Sequence, residues 1–432
     1  MAVQDKIKLI NQFNQTINFD LYLFTVNHKT APVAIREKFS IPEYKLKDAT
    51  NELKNYKSLD SFLILSTCNR TEVYFTSTNY ENAISDIYTF LSKFLNLEEK
   101  VIKEYNSLLA NSEVVEHSFK LACGLDSLVM GEKQILSQVR FAYSNAQTEK
   151  ILDNTLELLF QNIINSAKDV HKETNLSKNS QSISSAAIDM ANEICRSIKT
   201  KSIMVLGAGK MAELALDQIE KIGGAEETVV LNRSPHRVIE FSDKYKIDKS
   251  IPFEDVYESI NDTDIVVTAT GAPHFILFAE QFKPKRKDTS KPLYIFDISL
   301  PRNVDPEFGK LENVTLIDID SLQSFYNKNN SIPKEDMDEV EKIISAGMKT
   351  FYEDISNKEV SEVIRNLKSK VNNTVEEKLN KLKGNKATFT AEELDYIVNN
   401  IANTILHEPI KNLKDPGYKE EKIQVIKDLF EI

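Results

Sequence analysis

The chain has 432 residues, 41% hydrophobic and 28% charged, with a net charge of −11. That length exceeds one compact core and points to about three domains, and the composition is that of globular protein, not of disordered or fibrous chain. Net acidity speaks against a general nucleic-acid binder. The imbalance is uneven, however. Residues 1–200 hold 22 Lys and Arg against 24 Asp and Glu, and the remainder 32 against 41, so the first half leaves room for a local positive face. No apolar run of about 18 residues is present to span a membrane, and the opening MAVQDKIKLINQFNQ lacks the pattern of a secretory signal. Three scattered cysteines, Cys68, Cys123 and Cys195, with no CxxC pair, indicate neither a disulfide framework nor a metal site. A cytoplasmic setting is expected.

Residues 1–180 mix short apolar runs (Leu21–Val26, Phe62–Leu65, Val73–Phe75) with helical stretches at 81–95 and 113–122. Without a steady βαβ rhythm, this predicts an α+β domain. Over 181–325 the rhythm changes. Ser202–Leu206, Thr228–Leu231, Asp264–Ala269 and Leu293–Ile298 are apolar runs between turn residues, as buried parallel strands require. Over 326–432 no proline falls between Pro333 and Pro409. There Val360, Val363, Leu367, Val371, Val375, Leu379 and Leu382 recur every three or four residues along one helix face. That stripe suits either packing within its own domain or a partner helix, and the dimer contact is placed there.

Gly207-Ala208-Gly209-Lys210-Met211-Ala212 follows a strand and opens a helix predicted over Met211–Ile222. The first glycine permits a tight turn and the second lets a pyrophosphate approach. Ala212 stands where helix and strand come close, and the helix start offers backbone N–H groups to phosphate. A structural glycine turn is the plainer alternative. The next strand ends in Asn232-Arg233-Ser234, with no carboxylate for ribose hydroxyls. Arg233 with Asn232 and Ser234 suits a 2′-phosphate, which favours NADPH over NADH; a plain surface arginine is the competing reading.

Cys68 lies in Ser66-Thr67-Cys68-Asn69-Arg70, a polar turn between two apolar runs. A lone cysteine is usually core filler. Here the polar flanks suit an exposed thiol, and Arg70 would favour thiolate. Cys123 and Cys195, in helical stretches (the second predicted over Ala186–Ile198), read as buried packing. A thiol together with a nicotinamide suggests acyl chemistry: thiolate attacks an ester, and hydride reduces the thioester to an aldehyde.

Four stretches carry a resemblance. They are Asn27-His28-Lys29-Thr30-Ala31-Pro32-Val33 with Arg36-Glu37, Leu65 to Tyr74 (LSTCNRTEVY), Gly124 to Val139 (GLDSLVMGEKQILSQV), and Asp297 to Pro306 (DISLPRNVDP). In this order the chain resembles the glutamyl-tRNA reductase family. The resemblance implies Cys68 as nucleophile and His117 as the activity-critical histidine, with helix packing or tRNA contact as its alternative. His28 reads as structural, competing for an acid–base role. The glutamyl pocket would comprise Thr67, Asn69, Arg70, Ser127, Glu132, Lys133, Gln134 and Gln138. Lys133 stands where the family often has proline, so its side chain adds little. Arg70 is the natural partner of the substrate carboxylate. The family's fold implies an α/β multidomain chain: an α+β catalytic domain, a Rossmann-type NADP-binding domain and a helical C-terminal dimerisation domain. Its substrate would be glutamyl-tRNA(Glu), reduced with NADPH to glutamate-1-semialdehyde, the precursor of 5-aminolevulinate and tetrapyrroles. The next enzyme of that route, glutamate-1-semialdehyde aminomutase, is a candidate partner. A binding protein holding NADP or tRNA without turnover, and a small-molecule semialdehyde dehydrogenase, are the competing classes.

Overall fold

The computed structural model describes residues 20–127, 130–132, 134–176, 182–232, 235–329, 333–383, 390–413 and 420–430. Two compact units form, one over Phe19–Ser345 and the other including Ala346–Ile432.

The first unit opens with an antiparallel sheet of β1 (Leu21–Asn27), β2 (Ser61–Ser66), β3 (Arg70–Thr76) and β4 (Ser107–Ala110), ordered β2-β3-β1-β4. All seven residues of β3 are buried, and the period-two alternation of a strand divides them between two environments. Val73 and Phe75 join Phe24, Val26, Phe62 and Ile64 in a core closed by α1 (Val33–Phe39), α2 (Glu43–Leu53) and α3 (Tyr80–Leu95). Arg70, Glu72 and Tyr74 alternate with them on the opposite face, which is covered by α4 (Ser112–Ala122) and α6 (Asn154–Glu173). Between these two helices in sequence lies α5 (Gln134–Thr148).

The second sheet of this unit has six parallel strands: β5 (Ser202–Leu206), β6 (Glu227–Leu231), β7 (Lys249–Ile251), β8 (Ile265–Thr268), β9 (Leu293–Asp297) and β10 (Val314–Asp318). Their order, β10-β9-β8-β5-β6-β7, is that of a doubly wound dinucleotide fold. Alternate residues of β5 feed separate cores. Ile203 and Val205 pack with α7 (Ile183–Ile194) and α8 (Lys210–Lys221), while Met204 and Leu206 pack with Val256, Ile260 and Phe282. Burial on both faces explains why these strands read as unbroken apolar runs.

Two expectations shift. The helix predicted over Ala186–Ile198 ends at Ile194, leaving Cys195 as its half-buried C-cap and not as buried packing. The helix after the glycine loop starts one residue early, at Lys210, because extended Gly209 serves as its N-cap. Cys123 is buried, as expected.

The C-terminal unit is helical. A 50-residue helix, α9 (Lys334–Lys383), begins in the last residues of the first unit and supplies most of its length here, followed by α10 (Ala391–Leu413) and α11 (Glu420–Phe430). Val363 of the predicted stripe packs on Leu413 and Ile423, with Val360 beside it, so part of that stripe is covered by its own chain. Among the described residues no helix is long and apolar enough to cross a membrane, and no cluster of side chains is arranged to hold a metal ion.

Candidate active site

Cys68 occupies the three-residue turn joining β2 to β3. The turn is closed by Thr67 N donating to Arg70 O at 2.8 Å and Asn69 N donating to Thr67 Oγ1 at 3.1 Å, so a threonine hydroxyl stands in for a backbone acceptor. The facing wall comes from the loop after α4 and the start of α5. Gly124, at φ +77°, opens that loop, and its carbonyl accepts from Gly131 N at 3.0 Å. A Cβ on Gly124 would meet Gly131 and Glu132 backbone at 3.2 Å, so only glycine closes the loop unstrained. Together the walls form a cleft lined by Thr67, Cys68, Asn69, Arg70, Ser127, Glu132, Gln134, Ile135 and Gln138. Every residue expected in the glutamyl pocket is there except Lys133, which lies outside the described residues. Ile135 is an addition. The cleft encloses about 10 Å³, room for roughly one water.

Electrostatics correct one expectation. Burial, and next the Glu132 carboxylate, push the Cys68 thiol up to about 12; Arg36 and, as expected, Arg70 pull the other way but are outweighed. Arg70 is also engaged by two carboxylates. Its Nη1 donates to Glu72 Oε1 at 3.1 Å and to Asp126 Oδ2 at 2.9 Å, and its Nη2 donates to Asp126 O. Lys29 also pairs with Asp126. Burial raises the Glu132 carboxyl to about 7. The buried Oδ1 of Asn69 accepts no hydrogen bond among the described residues.

Behind Arg70, Glu72 is fully buried and accepts from Thr25 Oγ1 at 3.1 Å, Tyr74 OH at 2.6 Å and His117 Nε2 at 2.9 Å. Burial alone would raise its pKa, but His117 and Arg70 outweigh that and hold it well below the carboxylate range. His117 thus faces Glu72 and does not line the cleft. His28 is also outside the lining, and burial, then Arg70, lower it to about 4, leaving it neutral near pH 7. Glu72 and Asp126 were not singled out from sequence. The available signal was a pair of charged residues at i and i+2, Arg70 and Glu72, opening a strand that continues Val73-Tyr74-Phe75.

The Arg36-Glu37 and Asp297–Pro306 motifs meet between the two sheets. Arg36 Nη2 donates to Asp320 Oδ1 at 2.7 Å. Arg302 Nε and Nη2 donate to the two Glu37 carboxylate oxygens at 2.9 and 2.7 Å. Asp297 accepts from Asn303 N and Val304 N at 2.8 and 2.9 Å, knotting the loop that presents Arg302.

In the parallel-sheet half, Gly207 has φ +121°, and a Cβ there would lie 2.3 Å from Ala269 O. At Gly209 a Cβ would meet nothing within 4 Å, and no side chain caps the start of α8. Open space before uncapped N–H groups suits a pyrophosphate. Gly207, Ala208 and Gly209 form the turn after β5, and Lys210, Met211 and Ala212 open α8. Lys210 pairs with Glu213 at 2.7 Å, and Asn232 is half-buried just past β6. Arg233 and Ser234 lie outside the described residues.

A thiol-bearing cleft and a doubly wound dinucleotide-binding sheet in one unit define an oxidoreductase. Family models match along the chain: the glutamyl-tRNAGlu reductase N-terminal domain over residues 24–174, shikimate/quinate 5-dehydrogenase over 189–325, and the glutamyl-tRNAGlu reductase dimerisation domain over 339–432. A glutamyl-tRNA reductase of Carboxydothermus hydrogenoformans is 36% identical over 418 residues, covering 95% of this chain and 93% of that one. Another, from Thermodesulfovibrio yellowstonii, is 35% identical over 91% of this chain and 94% of its own. The solved glutamyl-tRNA reductase of Methanopyrus kandleri shares the fold, with a TM-score of 0.51 at 23% identity over 96% of this chain and 99% of that one. The chain belongs to the glutamyl-tRNA reductase family.

Proposed function

We propose that this protein reduces glutamyl-tRNA(Glu) with NADPH to glutamate-1-semialdehyde, releasing tRNA, through a thioester on Cys68. The observation that carries the reading is the gathering of Cys68 and seven polar side chains, from two distant segments, around one cleft. The Cys68 thiolate attacks the ester carbonyl carbon. The carbon–oxygen bond to the tRNA breaks, and the departing oxygen takes a proton. When bound, NADPH supplies the hydride that turns the thioester into aldehyde and returns the thiolate.

The chain's own groups divide the remaining work. Glu132 and the orphaned Asn69 Oδ1 accept hydrogen bonds from the glutamyl ammonium. Ser127, Gln134, Gln138 and the unspent N–H groups of Arg70 bind its carboxylate. At a pKa near 12 only about one Cys68 thiol in 10⁵ ionises at pH 7, so a neighbouring acceptor is required. Glu132, near 7, is the titratable acid in the lining. His117 acts as a positioning residue, through Glu72 and Arg70.

NADPH rather than NADH rests on Asn232, Arg233 and Ser234. Dimerisation through the C-terminal helices rests on the matched dimerisation domain, and a cytoplasmic setting on the scattered free cysteines. The next enzyme of the route, the aminomutase, remains a candidate for receiving the reactive aldehyde.

The test is incubation of the protein with glutamyl-tRNA, with and without NADPH. With NADPH the semialdehyde should form. Without it, acid-quenched protein should carry a glutamyl adduct on the Cys68 peptide, and slow hydrolysis should release glutamate. Cys68→Ser should lose reduction and hydrolysis together, because an alcohol stays protonated where a thiol ionises. Reduction by Cys68→Ser at near the parent rate would refute covalent catalysis at this residue.

A further inference from the structure

A second cavity, of about 590 Å³, opens between α2 and α5 and is lined by Tyr44, Lys47, Thr50, Phe141, Asn145 and Thr148 among others. Its two aromatic rings face solvent: Tyr44 is 68% exposed and Phe141 40%. Single exposed aromatics are ordinary, but two lining one groove of ligand-binding size are not.

The groove lies further along the same helix that lines the thiol cleft. Gln134 and Gln138 line the cleft, and Phe141, Asn145 and Thr148 line the groove. At 100° per residue these five positions fall within one narrow stripe of α5. Gln138 and Phe141 are about 4.5 Å apart along the helix axis, from the rise of about 1.5 Å per residue. The facing wall is tied to the same end of the sheet, because Ile41 N, two residues before α2, donates to Ser66 Oγ at 2.9 Å. An extended substrate whose acyl group sits at Cys68 has this groove within about one helix turn of the cleft along α5.

We propose that the groove between α2 and α5 takes the unpaired 3′ end of the RNA substrate, with the cytosines before the terminal adenosine stacking on Tyr44 and Phe141. This deepens the reductase reading and rests on it. Charge fits bases better than phosphates. The groove's Glu149 is paired with Lys54 at 2.5 Å, and Lys47 sits alongside Glu43, so the surface is close to neutral. Bases would turn inward and phosphates toward solvent. Asn145, Thr50 and Thr148 offer hydrogen-bond partners to base edges, the usual manner of recognising single-stranded RNA.

The test uses the full chain and a tRNA carrying a fluorescent cytosine analogue at the two positions before its terminal adenosine. Native protein should quench the analogue by stacking. Tyr44→Ala and Phe141→Ala should lose the quench, and Phe141→Trp should keep it. The preference for glutamyl-tRNA over a short-chain glutamyl ester, as a ratio of kcat/KM values, should fall about tenfold or more in each alanine variant. Thermal melting should be unchanged for Tyr44→Ala, whose ring is mostly exposed, and for Phe141→Trp, which keeps a ring in place. Loss of quench in Tyr44→Ala is then read free of any stability effect. No quench with native protein, or a full quench in both alanine variants, overturns the proposal, including the case in which a protein partner fills the groove. Native protein that quenches but reduces neither substrate would instead sink the reductase reading and leave the groove assignment standing.

Discussion

His117 Nε2 lies 2.9 Å from Glu72 Oε1, on the side of β3 that also carries Arg70. Since Glu72 is held ionised by its neighbours, the ring nitrogen donates. The imidazole therefore reaches the thiol cleft only through a carboxylate and a guanidinium. A proton carrier in the cleft and a positioning group behind it respond differently to substitution. His117→Ala should lower kcat about tenfold or more, and His117→Gln, which can still donate to Glu72, should recover a large part of that loss. Equal losses in both variants, with disappearance of a basic or acidic limb from the pH–rate profile, would restore a direct acid–base role.

Glu72 itself is a stability determinant. Arg70 is 1% exposed and Glu72 fully buried, so Glu72→Gln leaves a buried cation short of one partner. Breaking such a pair costs about 3–5 kcal/mol, which urea titration would register as a lower midpoint at unchanged slope. The sign with pH follows from the depressed carboxyl. Its stabilisation is fully present above the ordinary carboxylate range and is lost as pH falls below about 4.5. The Gln variant should show a correspondingly flatter acid limb. An unchanged limb would mean that Glu72 does not govern it.

Local signals explain what could be read from the chain alone. The strands of the parallel sheet and the glycine loop depend on neighbours in sequence, and Ser202–Leu206 was found to the residue. The cleft side chains came from family motifs, and the fold gathers them because a hairpin turn and a helix start lie opposite one another. What escaped depends on contacts far along the chain. Arg70 and Asp126 are 56 positions apart, and nothing near either marks the carboxylate as buried. Arg70 does favour the Cys68 thiolate, as expected, but burial of the thiol outweighs it. Glu37 and Arg302 were visible as motif residues, but their partnership was not, because they stand 265 positions apart in the chain.

That partnership predicts a charge-reversal result. Glu37 and Arg302 form a two-pronged bond and are 16% and 18% exposed, a setting in which coupling reaches about 1–3 kcal/mol. Glu37→Arg should lower the melting temperature and loosen the loop after β9, read as faster amide exchange around Asn303. The double variant Glu37→Arg with Arg302→Glu should recover part of both losses. Strictly additive effects would show that the two residues are not coupled.

Glu132 carries the clearest pH prediction. Its carboxyl sits beside a thiol that burial has pushed up to about 12, and burial raises Glu132 itself to about 7. If Glu132 takes the thiol proton, acylation must rise as pH climbs through about 7, because only the carboxylate can accept. Stability runs the other way. A raised carboxyl binds its proton more tightly folded than unfolded, so the folded state loses stability between about pH 4.5 and 7, as unfolded chains ionise before folded ones. Glu132→Gln keeps the shape and removes both dependences. It should flatten the pH profile of single-turnover acylation, slow that step at least about tenfold near pH 8, and raise stability at pH 8 relative to the parent. Substrate binding must be checked separately, since an amide is a poorer acceptor for the glutamyl ammonium. Measuring the step at saturating glutamyl-tRNA separates the two effects. A Gln variant that retains the parent's rise through pH 7 under saturation would mean that another group receives the thiol proton.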